Sequence, residues 1–115
     1  MENINLMSWA DAASSLISVA SGREPADLVI RNCSWVNVHT REILPNTNIA
    51  IKNGRFAYCG PEITHCIGEN TETIEADGRF AIPGLCDAHM HIESGMLTPG
   101  QFAHAVMAHG TTTMF

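Results

Sequence analysis

The residues with the clearest chemical potential lie in one short segment of this 115-residue chain. His89 and His91 are separated by a single residue, and the acids Asp87 and Glu93 stand on either side of them. On a β-strand alternate side chains point the same way, so the two imidazoles would leave one face from Cα atoms about 6.5–7 Å apart. Two histidines placed in this way can bind one divalent metal ion. The spacing alone is a weak signal, and its surroundings decide how it is interpreted.

The sequence around the histidine pair predicts a strand, a helix and a second strand. Residues 85–92 form a mostly apolar run, as a buried parallel strand does. Residues 98–101, Thr-Pro-Gly-Gln, predict a helix start with Thr98 as N-cap and a capping box, and Gly110 predicts the helix end. The inner face of that helix is predicted to be Phe102, Ala105, Val106 and His109. Residues 111–115 then predict a second strand, which completes one right-handed crossover unit of a parallel sheet.

Residues 1–82 predict a separate domain, made of a helix and a small antiparallel, β-sandwich-like sheet. The helix is expected from Ser8 to Ala20, with Gly22 at its carboxyl end. Its inner face is predicted to be Trp9, Ala12, Ala13, Leu16, Ile17 and Ala20. Asn53 and Gly54 predict a tight hairpin turn, because both residues tolerate positive φ. Strands are expected at residues 27–31, 35–39, 48–52, 55–59, 73–76 and 79–82.

Charge and composition exclude some classes of partner. The net charge is −6, and the six Lys and Arg residues are scattered, whereas nucleic acids and anionic membranes require a basic stripe. No run approaches the roughly 20 apolar residues of a membrane-spanning helix, and the first residues lack the pattern of a signal peptide. We therefore expect a cytoplasmic protein whose four cysteines, none in a C-x-x-C pair, are reduced.

Several segments resemble one known enzyme family. Residues 82–91, I-P-G-L-C-D-A-H-M-H, resemble the P-G-hydrophobic-x-D-x-H-x-H signature that opens the barrel of the metal-dependent amidohydrolases. Residues 92–99, I-E-S-G-M-L-T-P, are similar to the I-E-S-S-M-x-T-P continuation typical of the adenine deaminases, except that Gly95 replaces a serine. Further similarity lies in residues 20–22, 26–32 and 108–113. The resemblance covers nearly the whole chain.

This resemblance implies an α/β fold in which a small antiparallel β domain leads into a (β/α)8 barrel. Residues 83–115 would supply the first strand, helix and second strand, so the barrel is truncated, since a complete one needs about 250 residues. His89 and His91 would be ligands of a dinuclear divalent metal centre, with manganese or iron expected and zinc as an alternative. The remaining ligands and the main catalytic acid or base are expected beyond Phe115.

The implied reaction is the hydrolytic deamination of adenine to hypoxanthine and ammonia by metal-activated hydroxide, as part of purine salvage. The substrate is a purine base, and the full-length parent is expected to be a homo-oligomer, whereas this piece alone is expected to be inactive. Glu93 is the candidate substrate-binding residue, because a carboxylate can accept a hydrogen bond from a purine N–H; assisting the metal site and a purely loop-stabilising role are the alternatives. Asp87 is expected either to orient one histidine or to be structural, and His104 and His109 to pack or cap their helix.

Three other interpretations compete with this one. Cyclic amidohydrolases of the dihydroorotase and hydantoinase type share the barrel, but they usually carry Arg where this chain has Glu93. Zinc cytidine deaminases share the H-x-E spacing, but the chain lacks their P-C-x-x-C segment. A non-catalytic β module with an incidental histidine pair is the alternative from a different class.

Overall fold

The computed structural model describes residues 7–115, which form two compact units divided between Ala81 and Ile82. The first unit contains one helix, one sheet and a short 3₁₀ turn at Thr64–Cys66. The second unit contains a strand, a 3₁₀ turn, a helix and a strand. Within residues 7–115, no helix has both the length and the apolar character to cross a membrane.

The predicted first helix is confirmed as α1, which runs from Trp9 to Ala20. The Ser8 hydroxyl oxygen accepts a hydrogen bond from the Asp11 N–H at 3.2 Å, and Gly22 follows the helix at φ +72°. The predicted inner face was partly wrong, because Trp9 and Ile17 are exposed. The residues that α1 buries are Ala12 and Val19, seven positions apart and so on one face.

The first unit has a single mixed sheet, so the prediction of an antiparallel sheet was wrong. Its strands are β1 (Leu28–Asn37), β2 (Glu42–Lys52), β3 (Arg55–Gly60), β4 (Glu72–Glu75) and β5 (Phe80–Ala81). The order is β3-β2-β1-β4, and β5 also pairs with β1. The pairs β1–β2 and β2–β3 are antiparallel, whereas β4 and β5 run parallel to β1. The described strands of this unit form one sheet, where a sandwich would have two.

One strand, β1, replaces the two strands that the sequence predicts at residues 27–31 and 35–39. The pairing with β2 shifts register between Ile30 and Cys33, and Asn32 between them has φ +53°. The Asn32 N–H donates to the side-chain oxygen of Asn48 at 2.9 Å. The segment around Asn32 therefore forms a bulge within one strand, whereas the sequence indicated a turn between two strands.

The hairpin predicted at Asn53 and Gly54 is confirmed. These residues have φ +52° and +68° and join β2 to β3, as a two-residue turn with positive φ at both positions requires. The strand before them begins earlier than predicted, at Glu42, and continues past Pro45 and Asn46.

Apolar side chains are buried on both faces of this sheet. On β2 the neighbours Ile49 and Ala50 point to opposite faces and are both almost fully buried. Ala50 belongs to a cluster that includes Val19 of α1, and Ile49 belongs to a second cluster with Cys33 and Ala76. The four cysteines are free thiols, of which Cys33 and Cys66 are buried.

The second unit contains the predicted strand, helix and strand: β6 (Leu85–Asp87), α2 (Pro99–Met107) and β7 (Thr111–Met114). The two strands are parallel, with Leu85 opposite Thr111. Both hydrogen bonds of the predicted capping box between Thr98 and Gln101 are present. Of the predicted inner face of α2, Phe102 and Val106 are partly buried, whereas Ala105 and His109 are exposed.

A close approach between two segments of the second unit depends on Gly84. A Cβ atom at this position would overlap the Thr112 side chain on β7. The absence of a side chain at Gly84 therefore lets the chain enter β6 directly beside β7.

Candidate metal-binding histidine pair

The histidine pair lies just beyond β6, and the prediction that both residues are on the strand was wrong. The strand ends at Asp87, whose carboxylate Oδ1 accepts a hydrogen bond from the backbone N–H of His89 at 3.1 Å. This local bond turns the chain away from an extended conformation. The segment is also tied to the end of the second strand, because the Met90 N–H donates to the carbonyl of Phe115 at 2.9 Å.

The two imidazole rings nevertheless meet, although by another geometry than the predicted one. The Nε2 atoms of His89 and His91 are 3.0 Å apart, and the ring planes are 75° from each other. Two nitrogens at this separation can both lie about 2.0–2.1 Å from one ion, the usual zinc–histidine distance. The donor pair therefore fits a divalent metal ion.

Glu93 is held against the far side of His91. It lies in a 3₁₀ turn, Ile92–Gly95, that ends at Met96 with φ +53°. Its Oε1 is 2.7 Å from Nδ1 of His91, and this hydrogen bond holds the pKa of Glu93 below its usual range. Because the carboxylate contacts Nδ1, it lies on the opposite side of the ring from the Nε2 that meets His89. The substrate-binding role predicted for Glu93 stays a prediction.

The other acids and histidines that the sequence indicated lie outside this pair. Asp87 contacts the backbone of His89, so within the described residues its carboxylate orients the chain and leaves both rings untouched. His104 is in the last turn of α2, and the His109 N–H donates to the carbonyl of Val106 at 3.0 Å. Among residues 7–115, no three His, Cys, Asp or Glu side chains are arranged to hold one ion. A catalytic zinc-type site needs three protein ligands, so the pair is an incomplete site.

Gly95 stands where the adenine deaminase pattern has a serine, and no steric feature of this structure requires glycine there. A Cβ atom at Gly95 would meet no heavy atom within 4 Å, and φ at Gly95 is not in the positive range. The turn that holds Glu93 therefore accommodates either glycine or serine.

The contact between Glu93 and His91 is the feature of the site that the sequence analysis missed. The signal was present, because a carboxylate two residues after a histidine can reach its ring when the chain turns. The strand prediction hid this contact, because on an extended chain the side chains at positions 91 and 93 point in the same direction and do not turn towards each other.

The second unit thus places two histidines, one of them hydrogen-bonded to the Glu93 carboxylate, at the end of β6, the first of its two parallel strands. Over its whole length the chain is 64% identical to an adenine deaminase from Ruegeria pomeroyi, of which it covers 19%. It is 60% identical over 107 residues to an adenine deaminase from Mesorhizobium japonicum, and 48% identical over 105 residues to one from Clostridium botulinum. These alignments cover 93% and 91% of this chain and 18% and 17% of the two relatives.

The chain is therefore homologous to the adenine deaminases, and it spans about one fifth of the length of the relatives it matches. No family model matches it. A crystal structure of a protein from Bacillus thuringiensis aligns with 66% of this chain and 96% of its own, at 25% identity and a TM-score of 0.46.

Proposed function

We propose that this chain supplies two metal-binding histidines to an adenine deaminase, and that the whole protein hydrolyses adenine to hypoxanthine and ammonia. One observation carries the proposal. In a chain 64% identical to an adenine deaminase, the Nε2 atoms of His89 and His91 converge to 3.0 Å at the end of a parallel strand. Parallel α/β folds place their ligand sites at this end of the strands.

The residues of this chain would hold the ion, and other parts of the protein would complete its ligand set. A divalent ion held by His89 and His91 would lower the pKa of water and so make a nucleophile available at neutral pH. Within the described residues only the pair is available for this role. The catalytic acid or base is therefore proposed to come from outside residues 7–115.

The charge beside the pair favours a neutral substrate. The hydrogen bond from His91 lowers the pKa of Glu93, so its carboxylate is ionised at neutral pH. A negative charge at this position repels a substrate carboxylate, as dihydroorotate-like acids carry, but not a purine base. For this reason we prefer adenine to the substrates of the cyclic amidohydrolases. A dinuclear centre with manganese or iron, a homo-oligomer and a cytoplasmic location stay predictions.

The test uses the full-length parent protein. Replacing His89 or His91 with Asn should lower the bound metal and the adenine turnover together, because each removes one ligand. His104→Asn is the matched control, since His104 lies on α2 outside the pair, and both quantities should be nearly unchanged. Unchanged metal content in the His89 or His91 variants, measured on the samples used for turnover, would overturn the assignment.

The 115-residue chain by itself provides a second test. We expect it to release no ammonia from adenine above a control that contains only the metal ion, because a pair of histidines leaves the site short of ligands. Ammonia release by the purified chain would show that residues 1–115 already contain a complete site.

A further inference from the structure

We propose that Glu93 is a positioning residue that fixes the tautomer of His91 and so keeps its Nε2 lone pair free for the metal ion. This inference rests on the proposed function, because it assigns a role at the same metal site. It differs from the substrate-binding role that the sequence predicts, since the carboxylate would act through the histidine. The tautomers of the two histidines in the metal-free chain can be measured directly.

The first step follows from the chemistry of the two groups in contact. An ionised carboxylate can only accept hydrogen bonds, so in the 2.7 Å contact Nδ1 of His91 must be the donor. A neutral imidazole carries a single N–H. When that proton is on Nδ1, Nε2 carries the lone pair. His91 is therefore held in the tautomer that binds a metal through Nε2.

The second step assigns the other histidine. The Nε2 atoms of the two rings are 3.0 Å apart, and a hydrogen bond at this distance needs one donor and one acceptor. Since Nε2 of His91 is the acceptor, Nε2 of His89 must be the donor. In the metal-free chain the two histidines therefore have opposite tautomers, with the proton on Nδ1 in His91 and on Nε2 in His89.

This asymmetry determines what each ring must do when an ion enters. His91 binds without any change in its protons. To bind the same ion through Nε2, His89 would have to lose its Nε2 proton and gain one on Nδ1, with solvent water taking up one proton and returning another. The proton count is unchanged, and only the position of one proton differs. Glu93 thus prepares one of the two ligands in advance, whereas in the described residues no carboxylate contacts the ring of His89.

A carboxylate that hydrogen-bonds to a metal-binding histidine strengthens the binding of the metal ion. Losing such a partner usually weakens metal affinity by about 10–100-fold. The side chains of His91 and Glu93 are 61% and 75% exposed, so removing the carboxylate leaves no buried group without a partner. Variants at Glu93 should therefore fold normally, and effects on the histidine can be separated from effects on stability.

The experiment is ¹⁵N NMR of the histidine rings in the 115-residue chain, without metal, at about pH 8.5, where histidine is ordinarily neutral. The Nδ1 and Nε2 chemical shifts of each ring report which nitrogen carries the proton. We expect an Nδ1–H signature for His91 and an Nε2–H signature for His89. An Nε2–H signature for His91 in the unmodified chain would overturn the proposal outright.

Variants in the same turn separate the role of the hydrogen bond from that of the loop. Glu93→Ala should move His91 towards the Nε2–H form and weaken Zn²⁺ binding, measured by calorimetry with Zn²⁺ alone, by about 10–100-fold. Glu93→Gln, whose amide oxygen can still accept from Nδ1, should keep most of the Nδ1–H form. Gly95→Ala is the control, because its Cβ meets no neighbour, and should change neither measurement.

The outcome can be distinguished from failure of the proposed function. If His91 keeps its Nδ1–H form in Glu93→Ala, the positioning role is wrong, whatever the whole protein catalyses. If the tautomers are as expected but the full-length parent does not deaminate adenine, the positioning role holds at a metal site with another reaction. Loss of adenine turnover in Glu93→Gln with unchanged tautomer and metal content would assign Glu93 to the substrate, as the sequence predicts.

Discussion

The two units of this chain differ in what they bury and in what they carry. Among the described residues 7–115, all the buried hydrophobic residues belong to the first unit, from Ala12 to Ala76, whereas residues 82–115 include none. The histidine pair and Glu93 belong to the second unit. Apolar side chains of that unit are instead exposed, among them Leu85, Met96, Met107 and Phe115. The comparison shows that the residues that stabilise this chain and those that could do chemistry lie in different parts of it.

A two-stranded unit with little buried surface is marginally stable by itself. We therefore expect the first unit to unfold cooperatively and the second to open locally at a lower free energy. Three substitutions test this difference, in order of decreasing effect.

The largest effect is expected for Ile49→Ala in the first unit. Ile49 is 1% exposed in the core on β2, and truncating a buried Ile to Ala usually costs about 2–5 kcal/mol. Ile43 lies on the same strand but is 59% exposed, so Ile43→Ala should change the free energy of unfolding by about 0.5 kcal/mol or less. Denaturant unfolding of both variants measures the difference. Equal losses in the two would contradict the core described for this unit.

An intermediate effect is expected for Gly84→Ala in the second unit. The new Cβ would overlap the Thr112 side chain, and overpacking of this kind usually costs about 1–3 kcal/mol. Hydrogen exchange of the Thr111–Met114 amides should become about tenfold faster or more, while amides of the first unit keep their protection. Gly100→Ala, whose Cβ meets nothing, should not accelerate this exchange. A similar acceleration of exchange in both units on Gly84→Ala would show that they do not open independently.

The smallest effect concerns the pH dependence of the first unit. Burial raises the pKa of Asp27, but hydrogen bonds from the Lys52 ammonium and the Asn53 N–H outweigh this, so the pKa is lowered. An acid with a lowered pKa stabilises the fold above its ordinary value of 3.8, and this contribution is lost as the pH falls through the folded-state pKa. The Asp27 side chain is 52% exposed, so we expect about 1 kcal/mol or less.

Thermal unfolding between about pH 5 and pH 2 checks this expectation. Asp27→Asn should reduce the acid-dependent loss of stability, whereas Asp77→Asn, at the exposed pair with Arg79, should leave it unchanged. An identical acid profile in Asp27→Asn and the unmodified chain would rule out this contribution. On the alkaline side, the hydrogen bond to Asp27 raises the pKa of Lys52, so its contribution is present below 10.5 and is lost at higher pH.

The sequence predicted the elements whose signals are local. Ser8 and Thr98 mark helix starts by side-chain hydrogen bonds over three residues, and Asn53 with Gly54 specifies a turn through its own φ angles. Each of these signals acts over a few residues, so each was visible in the sequence and is confirmed in the structure.

The features that were missed depend on partners distant in sequence or on one unusual backbone angle. The parallel pairing of β4 with β1 joins Leu28 to Glu72, and nothing near either residue indicates the direction. The bulge at Asn32 depends on the side chain of Asn48, sixteen positions away. At the site, the sequence predicted the residue types. The end of β6 at Asp87 and the contact of Glu93 with His91 follow from backbone turns, which the alternating side-chain directions of a predicted strand do not reveal.

The central position of β1 has a consequence for the order in which the chain folds during synthesis. The hairpin of β2 and β3 needs only its own turn, so it can close within about microseconds of leaving the ribosome. One edge of β1 stays without its partner until residues 72–75 and 80–81 have been made, because β4 and β5 fill that edge. At about 5–20 residues per second, the interval of more than forty residues lasts some seconds. Through those seconds the nascent chain carries an open strand edge, which makes the first unit dependent on timely elongation and on protection from other nascent chains.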